Sequence, residues 1–164
     1  IIFNSSGYEK IETLQMLEGD IDIYLPDFKY YDNETAKEFS GIENYYEYTS
    51  QAIREMYRQV GNPSFDLTGT LQKGLVIRHL ILPNHVRETK AILNWIKDSI
   101  GKEAYISIMA QYFPTNLANR YEKISRKINQ IELKMVQKYL WESGLENGYI
   151  QKMGKQEEKY VPDF

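Results

Sequence analysis

Cysteine is absent from the sequence. That excludes disulfides, thiolate zinc sites and iron–sulfur ligation by this chain's own residues. Histidine is scarce: only His79 and His85 occur, so a histidine-based metal site is not expected. Excess charge of one sign is lacking too. The formal net charge of −3 leaves no electrostatic footprint for nucleic acid. No apolar run is long enough to cross a bilayer, so no membrane partner is expected. No charged-then-apolar leader opens the chain, and the missing cysteines fit a reducing cytoplasm. Neither a GxGxxG fingerprint nor a Walker loop occurs, so the two commonest nucleotide motifs are missing.

What is present suffices for one folded unit. A length of 164 residues supports a single domain with a real core. The 42% hydrophobic and 26% charged content is that of a globular chain, not a disordered one. Residues 1–164 read as one piece, with 152–164 as a polar C-terminal tail. Ile1-Ile2-Phe3 opens the chain at full stride in a β-prone apolar run, which reads as a cut inside a core element.

Short apolar strands alternate with amphipathic helices along the chain. Strands are expected at residues 1–3, at 21–25 stopped by Pro26, at 75–82 stopped by Pro83, at 104–109, and at Tyr149-Ile150. Ser6 with Glu9 forms a candidate capping box for a helix carrying Ile11, Leu14 and Leu17. A short helix follows Asp32 or Asn33, and a long one is expected over 42–60, broken by Gly61-Asn62-Pro63. Residues 62–73 read as an irregular excursion. A helix with Ile92, Trp95 and Ile96 inward follows the 75–82 strand. Asn129 with Glu132 caps a last helix, ended by Gly144. The repetition predicts an α/β fold: parallel strands with helices outside, as a partial (β/α) barrel lacking its N-terminal strands, or else a flat doubly wound sheet.

In parallel α/β proteins, sites lie past the carboxyl ends of the strands. Four such ends carry polar residues. Asn4-Ser5-Ser6-Gly7 is a small polar cluster able to approach a ligand closely, although capping and turning are the commoner uses of such residues. In Asp27-Phe28-Lys29 the period of two puts Asp27 and Lys29 on one face. That pair suits the amine and carboxylate of an amino-acid ligand, or forms a structural ion pair. Arg78 lies within an apolar strand, where its fork suits a carboxylate or phosphate, or pairs with a neighbour such as Asp27. Gln111 and Tyr112 follow the 104–109 strand. His79 points to the opposite face from Arg78 and reads as a hydrogen-bonded core histidine. Lys123, Arg126 and Lys127 read as a solvated face.

The motifs Asn4-Ser5-Ser6-Gly7-Tyr8, Tyr24-Leu25-Pro26-Asp27-Phe28-Lys29-Tyr30, Ile77-Arg78-His79-Leu80-Ile81-Leu82-Pro83 and Ile106-Ser107-Ile108-Met109-Ala110-Gln111-Tyr112-Phe113-Pro114 stand in an order that resembles the C-terminal part of radical S-adenosylmethionine proteins. The resemblance is to a branch related to pyruvate formate-lyase activating enzymes, and Glu158-Lys159-Tyr160-Val161-Pro162-Asp163-Phe164 resembles that branch's C-terminus. It implies a full-length parent holding S-adenosylmethionine and a [4Fe–4S] cluster, and making a 5′-deoxyadenosyl radical. It implies Asn4, Ser5, Asp27, Lys29, Arg78, Gln111 and Tyr112 as cofactor-binding residues. It also implies a glycyl radical enzyme as partner and a flavodoxin- or ferredoxin-like reductant. The three-cysteine loop and the glycine-rich motif for the methionine amine are absent, so the chain alone is expected to be inactive and to hold no metal. Asn4 stands where those enzymes often have aspartate, and Asn84 where glycine is common. A stand-alone binding module and an unrelated α/β barrel binding phosphate or an amino acid stay open as alternatives. An open half-barrel is also expected to self-associate through its unpaired edges.

Overall fold

A computed structural model describes residues 1–150. The expected tail at 152–164, and the motif Glu158 to Phe164 within it, lie outside the described residues. In chain order the elements are β1 (Ile2–Ser5), α1 (Ile11–Met16), β2 (Ile23–Pro26), α2 (Asn33–Ser40), α3 (Tyr45–Val60), β3 (Ser64–Phe65), β4 (Leu71–Leu80), α4 (Val86–Ser99), β5 (Tyr105–Met109), α5 (Gln130–Ser143) and β6 (Gly148–Ile150). Two 3-10 turns, Asn116–Arg120 and Glu122–Ile124, lie between β5 and α5.

The sheet runs β1-β2-β4-β5-β6, and each of these neighbours is parallel. It is not closed: β1 and β6 are its edges among the described residues. The α/β architecture expected from the sequence is present, as an arc consistent with a partial barrel. No described helix is long and apolar enough to cross a membrane.

Strand alternation sorts the side chains into two faces. On β4 and just past its end, Leu75, Ile77, His79 and Ile81 are buried toward the helices. They meet Ile53 and Met56 of α3 and Ile92, Leu93 and Ile96 of α4 in one continuous core. Tyr24 on β2 and Phe28 just past its end point the same way, and Phe28 packs edge-on against Trp95 at 5.2 Å. Each such fully buried side chain contributes about 1.5–3 kcal/mol by leaving water. The other face carries Leu25, Val76, Arg78, Ser107 and Met109, placed side by side by the register.

Several sequence expectations need correction. The Ser6–Glu9 capping box does not form. The helix starts at Ile11 behind Lys10, with no side-chain cap. The preceding chain is held by nonlocal contacts instead: the Tyr45 hydroxyl lies 3.1 Å from the Ser6 carbonyl, and Gly7 takes φ 78°. A Cβ on Gly7 would sit 2.2 Å from the Asp27 carbonyl oxygen, so only glycine permits that approach. The long helix begins at Tyr45, not at 42, after Asn44 in the left-handed region. Residues 62–73 are not irregular. They form an antiparallel hairpin of β3 with the start of β4, and the backbone of Pro63 crosses so close to Gly74 that a Cβ there would lie 2.4 Å from its Cα. The strand expected at 21–25 runs Ile23–Pro26, so it ends at Pro26, and the chain meets β4 once more one residue later, where Asp27 bridges Arg78. Proline has no N–H to give the ladder, which accounts for the gap between the two stretches of pairing.

Candidate functional site

The carboxyl ends of β2 and β4 bring three predicted residues together on the open face. Arg78 Nη2 lies 2.6 Å from Asp27 Oδ1, and Lys29 Nζ lies 3.7 Å from Asp27 Oδ2. The side chains are 26%, 17% and 43% exposed for Arg78, Asp27 and Lys29, so the cluster is half-sheltered and reachable. The Arg78–Asp27 contact is ionic but poorly aligned. Neither Asp27 Oδ1 nor Arg78 Nε has a hydrogen-bond partner among the described residues. The structural alternative weighed for Arg78, a pair with Asp27, is therefore present, and it leaves donor capacity in the guanidinium unspent. Ser107 is Arg78's neighbour on β5 by register, and Met109 follows two residues on.

The remaining predicted residues divide. Asn4 pairs in register with Leu25, on the same face as Asp27, and is exposed. Ser5 points to the opposite face, and its Oγ accepts the Gly7 N–H at 3.0 Å. Asn4 and Ser5 thus cannot address one ligand from the same side of β1. Gln111 is exposed just past the end of β5. Tyr112 is half-buried, and its hydroxyl donates to the Ile124 carbonyl at 2.8 Å, so it anchors its own loop. Burial raises its phenol above the ordinary range.

The loop after β5 is tied to the rest of the mouth through Glu132. This carboxylate accepts from Arg126 Nη1 and Nη2 at 2.8 and 2.9 Å, from the Asn84 N–H at 2.7 Å and from the Asn129 N–H at 2.8 Å. These bonds, chiefly Arg126's, hold its pKa down to about 2. Asn84 adopts φ 64°, the conformation that glycine would take, and its side chain bonds Lys123 and Arg126. The expected solvated basic face is therefore wrong for Arg126, which is a bidentate partner. Lys127 lies 4.8 Å from the Phe113 ring, and Lys123 lies 3.6 Å from Glu38.

Two residues behind the site were not read as part of it. His79 is buried, with Nδ1 2.7 Å from the Phe28 carbonyl and Nε2 2.9 Å from Thr89 Oγ1. Burial pushes its pKa down to about 4, so the ring is neutral, as a core histidine should be. Tyr45 on α3 has its hydroxyl 2.9 Å from the Lys29 N–H and 3.1 Å from the Asp27 carbonyl. Burial raises that phenol strongly, so it stays protonated. No local pattern reveals the contacts to the Asp27–Lys29 segment, because Phe28 is 51 residues from His79 and Lys29 is 16 from Tyr45.

This arrangement offers a carboxylate, an ammonium and a guanidinium on one open face. That donor set fits a zwitterionic or carboxylate-bearing ligand. It does not fit an iron–sulfur cluster: the chain has no cysteine, and no group of three histidine or acidic residues could hold a metal among the described residues.

Comparison with known proteins places this fold. No family model matches the chain. An uncharacterised protein of Methanocaldococcus jannaschii is 28% identical over 144 residues, covering 85% of this chain and 38% of that protein. The chain therefore spans well under half the length of that relative. A solved domain of pyruvate-formate lyase-activating enzyme from Bacteroides vulgatus is similar in structure, with a TM-score of 0.61 at 16% identity. The match covers 90% of this chain and 79% of that one. At that identity the likeness establishes the fold: the chain shares the α/β architecture of the activating-enzyme domain.

Proposed function

We propose that the chain is part of a radical S-adenosylmethionine enzyme of the pyruvate formate-lyase activating type, or a homologue, and supplies strand ends that bind S-adenosylmethionine. The observation that carries this reading is the Asp27–Arg78–Lys29 cluster on the open face at the carboxyl end of the sheet. The shared fold and the order of the four motifs support it. Asp27 would take the ligand's ammonium, and Lys29 and Arg78 its carboxylate or ribose oxygens. Asn4 would approach the same face from β1, and Gln111 from beyond β5. A [4Fe–4S] cluster, when bound in such an enzyme, would supply the electron for radical chemistry on S-adenosylmethionine. The cysteines for that cluster would come from elsewhere in a longer cytoplasmic protein, so these residues bind and orient but do not transfer the electron. A glycyl radical enzyme and a small flavodoxin or ferredoxin would be its partners.

The test is calorimetric titration of the protein with S-adenosylmethionine, with inorganic phosphate as the competing probe. Saturable binding is expected, weakened about tenfold or more in Asp27→Ala and Arg78→Ala, as loss of a charge-assisted contact requires. Unchanged affinity in both variants would overturn the assignment. Tighter binding of phosphate than of S-adenosylmethionine would favour an unrelated barrel enzyme. Anaerobic reconstitution of this chain with iron and sulfide is expected to yield no cluster.

A further inference from the structure

The ladder gap at Pro26 poses a mechanical problem. Asp27, Phe28 and Lys29 must stay extended for Asp27 and Lys29 to share the open face, yet the strand has just lost a ladder bond to β4. A slip of one residue would turn both charges toward the helices and bring Phe28 onto the open face. We infer that Tyr45 and His79, acting from the helix-covered side, are the positioning residues that hold this segment in register and so aim Asp27 and Lys29 at the ligand. The inference rests on the binding reading given above.

Every backbone polar group from the Asp27 N–H to the Lys29 N–H has a partner. The Asp27 N–H donates to the Ser5 carbonyl at 3.0 Å, and the Phe28 N–H to the Arg78 carbonyl at 2.8 Å. The Tyr45 oxygen accepts from the Lys29 N–H and shares its single proton between the Asp27 and Ser6 carbonyls. The Phe28 carbonyl can only accept, so His79 Nδ1 must carry the ring's proton, and Nε2 then accepts from the Thr89 hydroxyl. His79 is also the residue next to Arg78. One strand therefore grips the Phe28 backbone with its outward side chain and meets the Asp27 carboxylate with its inward one.

The experiment compares Tyr45→Phe, His79→Asn and His79→Gln, with Ile53→Val as a core control showing a similar loss of thermal stability. Asparagine can place a donor where Nδ1 stood; glutamine reaches the Nε2 position instead. Ring nitrogen NMR of the parent protein is expected to show the Nδ1-protonated tautomer, and the Arg78 Nε resonance is expected to move in Tyr45→Phe and His79→Gln. Affinity for S-adenosylmethionine should fall about fivefold in those two variants, the worth of one ordinary hydrogen bond. His79→Asn and Ile53→Val should bind as the parent does. An Nε2-protonated ring, or an Arg78 resonance and affinity unmoved in both weakened variants, would overturn the inference. If the parent binds no S-adenosylmethionine, the binding reading falls, and the tautomer and the Arg78 resonance still decide whether the clamp positions the pair.

Discussion

His79 and Arg78 are neighbours on β4 and opposites in their surroundings. His79 is 2% exposed, and both its ring nitrogens are bonded. The Arg78 side chain is 26% exposed, holds one misaligned ion pair and has a guanidinium nitrogen with no hydrogen-bond partner among the described residues. The same contrast extends across the sheet. Toward the helices, side chains are mostly apolar and close-packed, and His79 and Tyr45 have their polar groups bonded, although Thr49 Oγ1 and Trp95 Nε1 find no partner among the described residues. On the open face, charge and donor capacity remain to be used. One face therefore supports the fold, and the other is equipped to meet something else.

That contrast can be broken most forcefully on the helix side. Ile77→Ala should cost about 2–5 kcal/mol in chemical denaturation, because Ile77 is fully buried and would leave a cavity. Leu80→Ala, on the partly exposed open face, should cost less than about 2 kcal/mol. Equal costs would show that the open face is as tightly packed as the other. Next in size is Asp27→Asn. It strands the Arg78 charge, but partial exposure screens the loss, so about 1 kcal/mol is expected. A gain in stability would mean that the pair is strained beyond what its alignment shows.

The Glu132 hub at the mouth sharpens the comparison through pH. Its carboxyl is held at about 2, below its ordinary value, so it stabilises the fold above the unfolded pKa. That stability is lost as pH falls from about 4.5 toward 2. Glu132→Gln should flatten this acid limb while leaving Asp27-dependent ligand affinity unchanged near neutrality. An acid limb of unchanged slope would remove Glu132 as its source.

How much of this was legible beforehand follows from how local each signal was. The Asn129–Glu132 capping box and the Gly144 stop are set by residues within a few positions of one another, and both are present; the 75–82 run is a strand as well, but its bounds shift to Leu71–Leu80. The Asp27 and Lys29 alternation is also local and holds. Ser6 misled because its carbonyl is claimed by Tyr45, 39 residues away. Ser5 lies on the face opposite Asn4, with its Oγ on the Gly7 N–H, which was not legible because β1 extends past residue 3. Arg126 looked solvated because its carboxylate partner follows on the far side of a helix cap. The β3 hairpin was hidden because Gly74 is needed for a crossing by Pro63, which no periodicity records.

The smallest effect is expected at the seam between the two stretches of β2–β4 pairing, and it tests why the clamp is needed at all. The Phe28 N–H donates to the Arg78 carbonyl. Two residues back on both strands, position 26 would donate to the Val76 carbonyl, but proline cannot. Pro26→Ala supplies that N–H, a net gain of about 0.5–1.5 kcal/mol. It also frees the unfolded chain, a loss of about 0.4–1 kcal/mol. The two nearly cancel, so stability should change by less than about 1 kcal/mol. Hydrogen exchange separates the terms that the stability measurement merges. The amide at position 26 should exchange slowly, and a second substitution, Tyr45→Phe, should then perturb the Arg78 resonance less than it does with Pro26 in place. If that amide exchanges freely, the missing donor is not what interrupts the ladder, and the gap must instead be set by the twist of the sheet itself.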